Sequence, residues 1–148
     1  MRTKLLLIAA LIVMGLTVNA QKDKPEFDKP MNILVFSKTS GFRHSSISEG
    51  IKMLYDLSPK QNWVITVTED GSLFRDDFLK NFDMAVFMNP TGDAIDDEGQ
   101  EAFEKFINSG RGFVGIHAAA DHEYEWSFYG KLVGGYFKTH PPAQKGTV

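Results

Sequence analysis

The sequence predicts a single α/β domain built on a mainly parallel β-sheet. Four short apolar runs favour strands, namely residues 32–37, 63–68, 84–89 and 112–116. The segments between them carry apolar residues at helical spacing, and the connections are short. This alternation implies parallel strands joined by right-handed crossovers, with helices on both faces of the sheet.

The composition of each run supports its prediction as a strand. Residues 32–37 form a continuous apolar run, as expected for a parallel strand covered on both faces. Residues 63–68 are rich in β-branched side chains. The last run contains Gly112 and Gly115, which let another backbone come close. We therefore expect the fourth strand to lead into a tightly packed turn.

The first two helices are predicted from capping signals and periodicity. Ser46 is the expected N-cap of the first helix, because Glu49 follows it at the spacing of a capping box. Ser58-Pro59 is expected to end this helix, since proline interrupts helical hydrogen bonds. Residues 73–82 place aromatic and leucine side chains on one helical face, which predicts a short second helix.

The third helix has the clearest signals. Asp96 is a suitable N-cap, and Gly110 lies just past the expected end. Residues 126–133 are predicted to form a fourth helix, and residues 136–138 a strand or the approach to one. The polar side chains that follow the strands should gather at one edge of the sheet, where the carboxyl ends of parallel strands meet.

The first twenty residues have the pattern of a secretory signal peptide. Arg2 and Lys4 precede an apolar stretch over residues 5–16, and small residues at 18 and 20 predict cleavage before Gln21. The alternative is an uncleaved membrane anchor, but the stretch is shorter than the roughly 20 residues that span a bilayer. We therefore expect an exported protein, periplasmic or extracellular, without stable membrane insertion after cleavage. Residues 21–30 form a charged linker, and the folded domain is expected over residues 31–148.

Composition excludes several classes of function. The chain has 148 residues, a formal net charge of −3 and no basic run, which argues against nucleic acid as a partner. It contains no cysteine, so disulfides, thiolate metal ligands and a cysteine nucleophile are excluded. The hydrophobic content of 43% is typical of a globular protein rather than a disordered one. The oligomeric state is not indicated.

His117 is the central candidate for a catalytic residue. It follows the fourth strand within the sequence Gly115-Ile116-His117-Ala118-Ala119. A strand that runs into such a turn is the elbow on which several hydrolase and amidotransferase folds carry a nucleophile. An imidazole in that place suits proton transfer or metal ligation better than an acyl intermediate. The alternative is a structural histidine whose ring bonds a neighbouring loop.

Arg43 and His44, which follow the first strand, form a second candidate site. The Arg43 guanidinium offers a planar fork of donors for substrate oxygens. His44 precedes a helix N-terminus, where backbone N–H groups favour anionic or hydroxyl-rich ligands. Asp70 or Asp121 would orient one of the histidines. The alternative is a loop arginine paired with Asp70 or with Glu49.

The remaining candidates carry weaker signals. His117 and His140 are candidate ligands of a divalent metal, although the sequence has no short metal-binding spacing, so the cofactor stays undetermined. Tyr129 belongs to a group of aromatic residues that either stacks on a sugar ring or packs in the core. His122, next to Glu123, is expected in a solvated turn.

Four segments together resemble the ThuA-like (trehalose-utilisation) family. They are Phe42-Arg43-His44-Ser45-Ser46-Ile47, Gly112-Phe113-Val114-Gly115-Ile116-His117-Ala118-Ala119-Ala120-Asp121, Trp126-Ser127-Phe128-Tyr129 and Leu132-Val133-Gly134-Gly135-Tyr136-Phe137-Lys138-Thr139-His140-Pro141. The resemblance covers residues 31–148 and implies a flavodoxin-like, class I glutamine amidotransferase-like three-layer sandwich. The family lacks the amidotransferase cysteine at the elbow, which agrees with His117. Family domains run beyond the length of this chain, so we expect it to hold the N-terminal portion of a longer domain.

The resemblance implies a function in carbohydrate utilisation, with a small-molecule sugar as the partner. The substrate would be a trehalose-type disaccharide or an oxidised keto-sugar. An enzyme of this kind would be a sugar-processing hydrolase, lyase or isomerase, and not a glutamine amidotransferase. The expected catalytic residues are His117, His44 and Asp121, and the expected sugar-binding residues are Arg43, Asp70, Tyr129 and His140. The alternative is a non-catalytic carbohydrate-binding or accessory module.

Overall fold

The computed structural model describes residues 29–142, 145 and 146. The predicted signal peptide and the predicted linker up to residue 28 lie outside the described residues. Among the helices within these bounds, none has the length and apolar character needed to cross a membrane.

The four predicted strands form one sheet, which confirms the predicted α/β fold. The strands are β1 (Met31–Phe36), β2 (Trp63–Thr68), β3 (Met84–Met88) and β4 (Gly112–Ile116). They lie in the order β2-β1-β3-β4, and every pairing is parallel. The chain leaves β1 on one side for β2 and returns on the other side for β3. The carboxyl ends of β1 and β3 therefore flank the switch point where open α/β sheets bind ligands.

Helices cover both faces of this sheet. They are α1 (Ser46–Gln61), α2 (Asp76–Leu79), α3 (Asp97–Asn108) and α4 (Ser127–Val133), with short 3₁₀ helices at Gly71–Leu73 and His117–Ala120. Leu54 of α1 packs on one face in a cluster with Ile33, Val35 and Val86. The side chains of α2, α3 and α4 pack in a second cluster on the other face. The result is the predicted three-layer arrangement.

The second cluster is rich in aromatic rings, and Phe87 of β3 is among its fully buried members. Its ring lies 5.3 Å from that of Phe36 and 5.2 Å from those of Phe103 and Phe113, measured between centroids. Full burial of a phenylalanine side chain contributes about 1.5–3 kcal/mol to stability. This aromatic layer ties the central strands to α3 and so fixes the edge of the sheet that carries the candidate site.

The prediction that Ser58-Pro59 ends the first helix is wrong. α1 continues through Pro59 to Gln61. Pro59 lacks the N–H that would bond to the Tyr55 carbonyl, but Ser58 Oγ donates to that oxygen at 2.9 Å. The carbonyl therefore keeps a donor within the last turn. The helix is capped instead by Asn62, which adopts the left-handed conformation common at helix C-termini.

The predicted cap of this helix is also wrong, whereas the cap of α3 is confirmed. Ser45 occupies the N-cap position of α1 without a side-chain capping bond, and Ser46 is the first helical residue. Ser46 Oγ instead accepts a hydrogen bond from Asn89 Nδ2 at 3.2 Å. In α3, Asp96 Oδ1 accepts from the Gly99 N–H at 2.9 Å, as an N-cap should.

Two further segments differ from their predictions. Residues 73–82 contain the end of the 3₁₀ helix and then the predicted short helix as the single turn α2, because Arg75 between them is extended at φ −140°. Residues 136–138 are irregular rather than a strand. They are held by the Phe137 N–H, which donates to the Ala120 carbonyl at 2.7 Å, outside any ladder between strands.

Candidate functional site

The loops that follow β1, β3 and β4 are hydrogen-bonded to one another. The Ser40 N–H donates to the Thr91 carbonyl at 2.8 Å, which joins the first two loops. The Gly92 N–H donates to the Asp121 carbonyl at 2.9 Å, which joins the second loop to the third. The convergence predicted for parallel strands therefore exists, and it forms at the switch point of the sheet.

Asn89 holds the centre of this junction. It follows β3, is buried, and has a left-handed backbone at φ +52°. Its Oδ1 accepts from the Ala118 N–H at 3.2 Å, and its Nδ2 donates to Ser46 Oγ at 3.2 Å. One side chain thus joins the start of α1 to the turn that follows β4, and it sets the position of the elbow.

His117 occupies that elbow in a left-handed conformation with φ +47°. A residue with a Cβ is uncommon in this region, and such strain concentrates at functional sites. The sharp strand-to-helix turn has the character of the elbow that presents a nucleophile in α/β hydrolases. Here the elbow presents an imidazole, and His117 is exposed to solvent.

The His117 ring meets that of His44, which comes from the loop after β1. Their centroids lie 4.6 Å apart with the planes at 74°, an edge-to-face contact. Phe42 in turn packs edge-to-face against His44 at 4.9 Å. The two histidines that the sequence nominated independently are therefore neighbours, close enough to act on one bound molecule.

A cavity of about 470 Å³ opens beside this histidine pair. His44, His117 and His140 line it, together with the Asp121 carboxylate. Its apolar walls include the rings of Phe42, Tyr136 and Phe137. Such a mixture of a few polar groups with aromatic walls is typical of small-molecule sites. Its volume falls within the usual range for such sites, which is roughly 300–1,000 Å³.

Asp121 is fixed in the cavity wall by Tyr124. The Tyr124 hydroxyl donates to Asp121 Oδ1 and also lies 2.9 Å from the Phe137 carbonyl. Burial, and next the hydrogen bond to Asp121, raise the pKa of Tyr124 to about 12. The tyrosine therefore stays protonated and remains a donor across the physiological range, which keeps Asp121 oriented.

The far wall of the cavity is the segment 134–140, which we call the strap. Tyr136 anchors it, because its hydroxyl lies 2.8 Å from the Glu123 carbonyl and 2.7 Å from the Trp126 carbonyl. The Tyr136 ring also stacks on Tyr124 at 5.1 Å. Gly130 makes room for it, since a Cβ there would lie 2.7 Å from the Tyr136 ring. The strap therefore carries Phe137 and His140 to the cavity in a defined position.

Three of the predicted site residues lie outside this cavity lining. Arg43 makes a two-point salt bridge with Glu69 at 2.6 and 3.2 Å, which is neither of the carboxylates considered as alternatives. Asp70 caps the 3₁₀ helix at Gly71–Leu73 by accepting from the Ser72 N–H. Tyr129 is fully buried and donates its hydroxyl hydrogen to the Ala119 carbonyl at 2.7 Å.

The prediction that His122 lies in a solvated turn is wrong, because its side chain is fully buried. The sequence analysis did not identify Phe42 and Phe137 as residues of the cavity wall. Phe42 adjoins the Arg43-His44 pair, and Phe137 is close to His140 in sequence. Their closeness in sequence to a candidate histidine is the signal that could have identified Phe42 and Phe137. Within residues 29–142, 145 and 146, no three histidine, aspartate or glutamate side chains converge as a metal site.

Comparison with known proteins agrees with this fold. A crystal structure at 2.30 Å of a ThuA-like protein from Bacteroides uniformis ATCC 8492 shares the fold, with a TM-score of 0.60 and 24% sequence identity. The match covers 73% of this chain and 45% of that one, so the chain spans less than half the length of that relative. No curated protein matches the sequence. The family model described as trehalose utilisation matches residues 32–148, and the chain therefore belongs to the ThuA family.

Proposed function

We propose that the protein acts on a neutral sugar, of the trehalose type or a keto-sugar, in the cavity beside His117. The observation that carries the proposal is the contact between His117 and His44 at the mouth of this cavity. His117 holds a strained backbone conformation there. Membership of a trehalose-utilisation family supports a carbohydrate ligand.

The cavity offers a sugar two kinds of contact. Phe42 is 70% exposed, and Phe137 is also exposed, so both present ring surface on which the apolar face of a pyranose can stack. Asp121 and His140 supply acceptors and donors for hydroxyl groups. Arg43 lies outside the cavity lining and forms a salt bridge with Glu69. Among the described residues, the lining holds no guanidinium or ammonium group. This balance favours a neutral polyol over a sugar phosphate or sugar acid.

The chemistry we propose is proton transfer. One imidazole of the His117 and His44 pair removes a proton from the bound sugar, and the other returns a proton to it. Such transfers serve a hydrolase, a lyase or an isomerase, and Asp121 orients the reacting sugar. We propose that the protein works after export, in the periplasm or outside the cell, following cleavage before Gln21.

Calorimetric titration and product analysis test this proposal together. The chain is titrated with trehalose and with a keto-disaccharide, and each mixture is analysed for products. His117→Asn removes the imidazole while keeping a residue that tolerates the left-handed region. We expect it to weaken binding and to abolish turnover. Lys52→Ala on the outer surface of α1 is the matched control and should behave as the parent does.

A non-catalytic carbohydrate-binding module is the second candidate. The exposed ring of Phe42 favours it, because stacking on aromatic surface binds sugars without any chemistry. This alternative predicts heat of binding without product, and it predicts loss of that heat in Phe42→Ala. The matched control is Tyr55→Ala, since Tyr55 is an exposed aromatic residue on α1 outside the cavity. Absence of binding to every neutral sugar would contradict both candidates.

A further inference from the structure

The outer edge of β2 is a surface that the proposed function does not use. β2 lies at one end of the sheet, and among the described residues it pairs only with β1. Its pairing with β1 keeps one register from Trp63 to Thr68, without a bulge. An edge strand presents unpaired N–H and C=O groups, which form a template for another strand.

The hydrogen bonds at the two ends of β2 show which of its backbone groups face outward. The Asn62 carbonyl accepts from the Met31 N–H at 2.9 Å. The Thr68 carbonyl accepts from the Ser37 N–H at 3.2 Å. Successive residues of a strand turn their backbone groups to opposite sides, so the even-numbered residues of β2 face β1. The residues whose N–H and C=O groups face the free edge are Trp63, Ile65 and Val67.

The composition of β2 does nothing to discourage pairing at this edge. Natural edge strands are commonly protected by charged side chains, by proline or by a bulge. Residues 63–68 include no charged residue and no proline, and five of the six are β-branched. Val64 is 47% exposed, and Thr66 is exposed as well. An uncharged six-residue segment of this kind is prone to add a further strand, so we expect it to be covered in the native assembly.

Antiparallel pairing with a second copy of β2 satisfies this edge. A two-fold axis at Ile65 places Ile65 opposite itself and Trp63 opposite Val67. Every outward N–H and C=O group of these three residues then gains a partner. Between them, Val64 of one copy lies opposite Thr66 of the other, which joins two exposed β-branched side chains.

The charges that flank β2 favour this antiparallel arrangement. Lys60 precedes the strand in the last turn of α1, Asp70 follows it, and both are exposed. The register centred on Ile65 brings Lys60 of one copy level with Asp70 of the other, on both sides of the axis. Parallel pairing would instead bring like charges together. Charge complementarity therefore favours a second copy in the antiparallel direction.

The helix on this side of the sheet leaves space at the edge. Leu54 of α1 packs with Ile33 and Val35 of β1 and with Val86 of β3. α1 therefore lies over the inner strands. The side chains of β2 on the same face are only half-buried, namely those of Trp63, Ile65 and Val67. A second copy would bury them further.

We propose that the protein forms a two-fold dimer through antiparallel pairing of β2 with β2 of a second copy. The two four-stranded sheets then become one continuous sheet of eight strands. Because the strands of the two copies run in opposite directions, the cavities beside His117 lie at opposite ends of the joined sheet. The interface therefore covers neither cavity.

Disulfide trapping tests the proposed register, because the chain contains no cysteine of its own. Residues 64 and 66 of different copies would lie directly opposite, with Cα atoms about 4.5 Å apart, which a disulfide can span. Two copies of the same residue would lie diagonally, about 7–8 Å apart, which a disulfide does not span without movement.

Full-length Val64→Cys and Thr66→Cys are oxidised separately and, after mixing in reductant, together. Mass spectrometry distinguishes the mixed dimer from the two homodimers. We expect the mixed disulfide in at least about tenfold excess, because only that pair meets the geometry of a disulfide. Each variant oxidised alone is the matched control.

Sedimentation of the parent and of two lysine variants gives a second measurement. Thr66→Lys sets an ammonium group against Val64 of the other copy, and it should raise the dissociation constant of the dimer at least about tenfold. Val114→Lys is the matched control, because Val114 is also an exposed strand residue but lies on β4. It should form dimers as the parent does. Circular dichroism checks that both variants fold.

A parent that sediments as a monomer at every concentration would overturn the proposal. Equal cross-linking in the mixture and in the separate variants would overturn it too, since the pairing would then have no fixed register. A dimer that Thr66→Lys leaves intact would show that a different surface joins the copies. If another protein or another segment of the chain covers β2, the introduced thiols should stay uncross-linked, which equally contradicts the proposal.

Discussion

At the scale of single residues, His117 combines an unfavourable backbone with an exposed side chain. Left-handed backbone costs a residue with a Cβ about 1–2 kcal/mol, and burial does not offset this cost because His117 is exposed. What the conformation achieves is the contact with His44. Strain without a packing benefit is what a site selected for chemistry or recognition would show.

This residue gives the first prediction. His117→Gly relieves the strain and should raise the free energy of unfolding by about 1 kcal/mol, measured by thermal or urea denaturation. The same variant should lose sugar binding, because the imidazole is gone.

The matched control is Asn62→Gly, since Asn62 is also left-handed but lies at the end of α1. It should leave sugar binding unchanged. A His117→Gly protein that is less stable than the parent would show that the backbone of His117 carries no cost. One that binds sugar equally well would show that the imidazole does not contact the sugar.

At the scale of elements, the site depends on how three ends are joined. The carboxyl ends of β3 and β4 and the first residue of α1 meet at Asn89. The Ala118 N–H and the Ser46 hydroxyl each rely on this one amide. The elbow can therefore be displaced by a change that touches neither His44 nor His117.

Replacement of Asn89 gives the second prediction. Asn89→Ala removes both hydrogen bonds and leaves alanine in the left-handed region, so we expect a loss of about 2–4 kcal/mol in the free energy of unfolding. Asn89→Gly removes the same hydrogen bonds without the backbone strain and should fall between Asn89→Ala and the parent. Equal stabilities for the two variants would mean that the backbone conformation of Asn89 carries no cost. Both variants should weaken sugar binding by moving His117.

At the scale of the whole molecule, stability and binding belong to different sets of aromatic residues. Phe87 lies within the buried aromatic cluster between the sheet and α3. Phe42 stands at the cavity mouth and is mostly exposed. Changes in the core should therefore affect folding, whereas changes at the mouth should affect only recognition.

Two matched substitutions make this the third prediction. Phe87→Ala should cost about 3–5 kcal/mol, a large part of the roughly 5–15 kcal/mol that stabilises a small domain. Phe42→Ala should change stability by less than about 0.5 kcal/mol, since surface substitutions rarely do more. It should nevertheless weaken sugar binding. Circular dichroism melts and calorimetry separate the two effects, and similar melting temperatures for both variants would contradict this division.

The fold could be predicted from the sequence because each strand is a local apolar run, and the helices between the strands imply parallel order. The clustering of His44 with His117 was predictable for the same reason, since both follow strands that meet at one edge. Helix ends were less predictable. Pro59 should have ended α1, but the Ser58 hydroxyl replaced the missing donor.

Side-chain burial was the part that sequence patterns could not supply. His122 is polar and flanked by acids, yet a bond to the Gly92 carbonyl draws it into the aromatic cluster. From the sequence, Tyr129 could equally have faced a sugar or the core. In the structure its hydroxyl donates to the Ala119 carbonyl, which places the side chain in the core. Arg43 forms a salt bridge with Glu69, and the two residues are close only because β1 pairs with β2. Each case depends on long-range neighbours that local spacing does not encode.

Binding of a neutral sugar in the cavity beside His44 and His117 can be tested with the four histidines of the chain in one experiment. The protein is labelled with ¹⁵N-histidine and titrated with trehalose and with a keto-disaccharide, while the ring nitrogens are followed by NMR. We expect saturable shifts for His44, His117 and His140, and none for His122, which is buried in the core and serves as the internal control. Ring signals of His44 and His117 that stay unmoved by both sugars, or four histidines that shift alike, would show that neither sugar binds in this cavity.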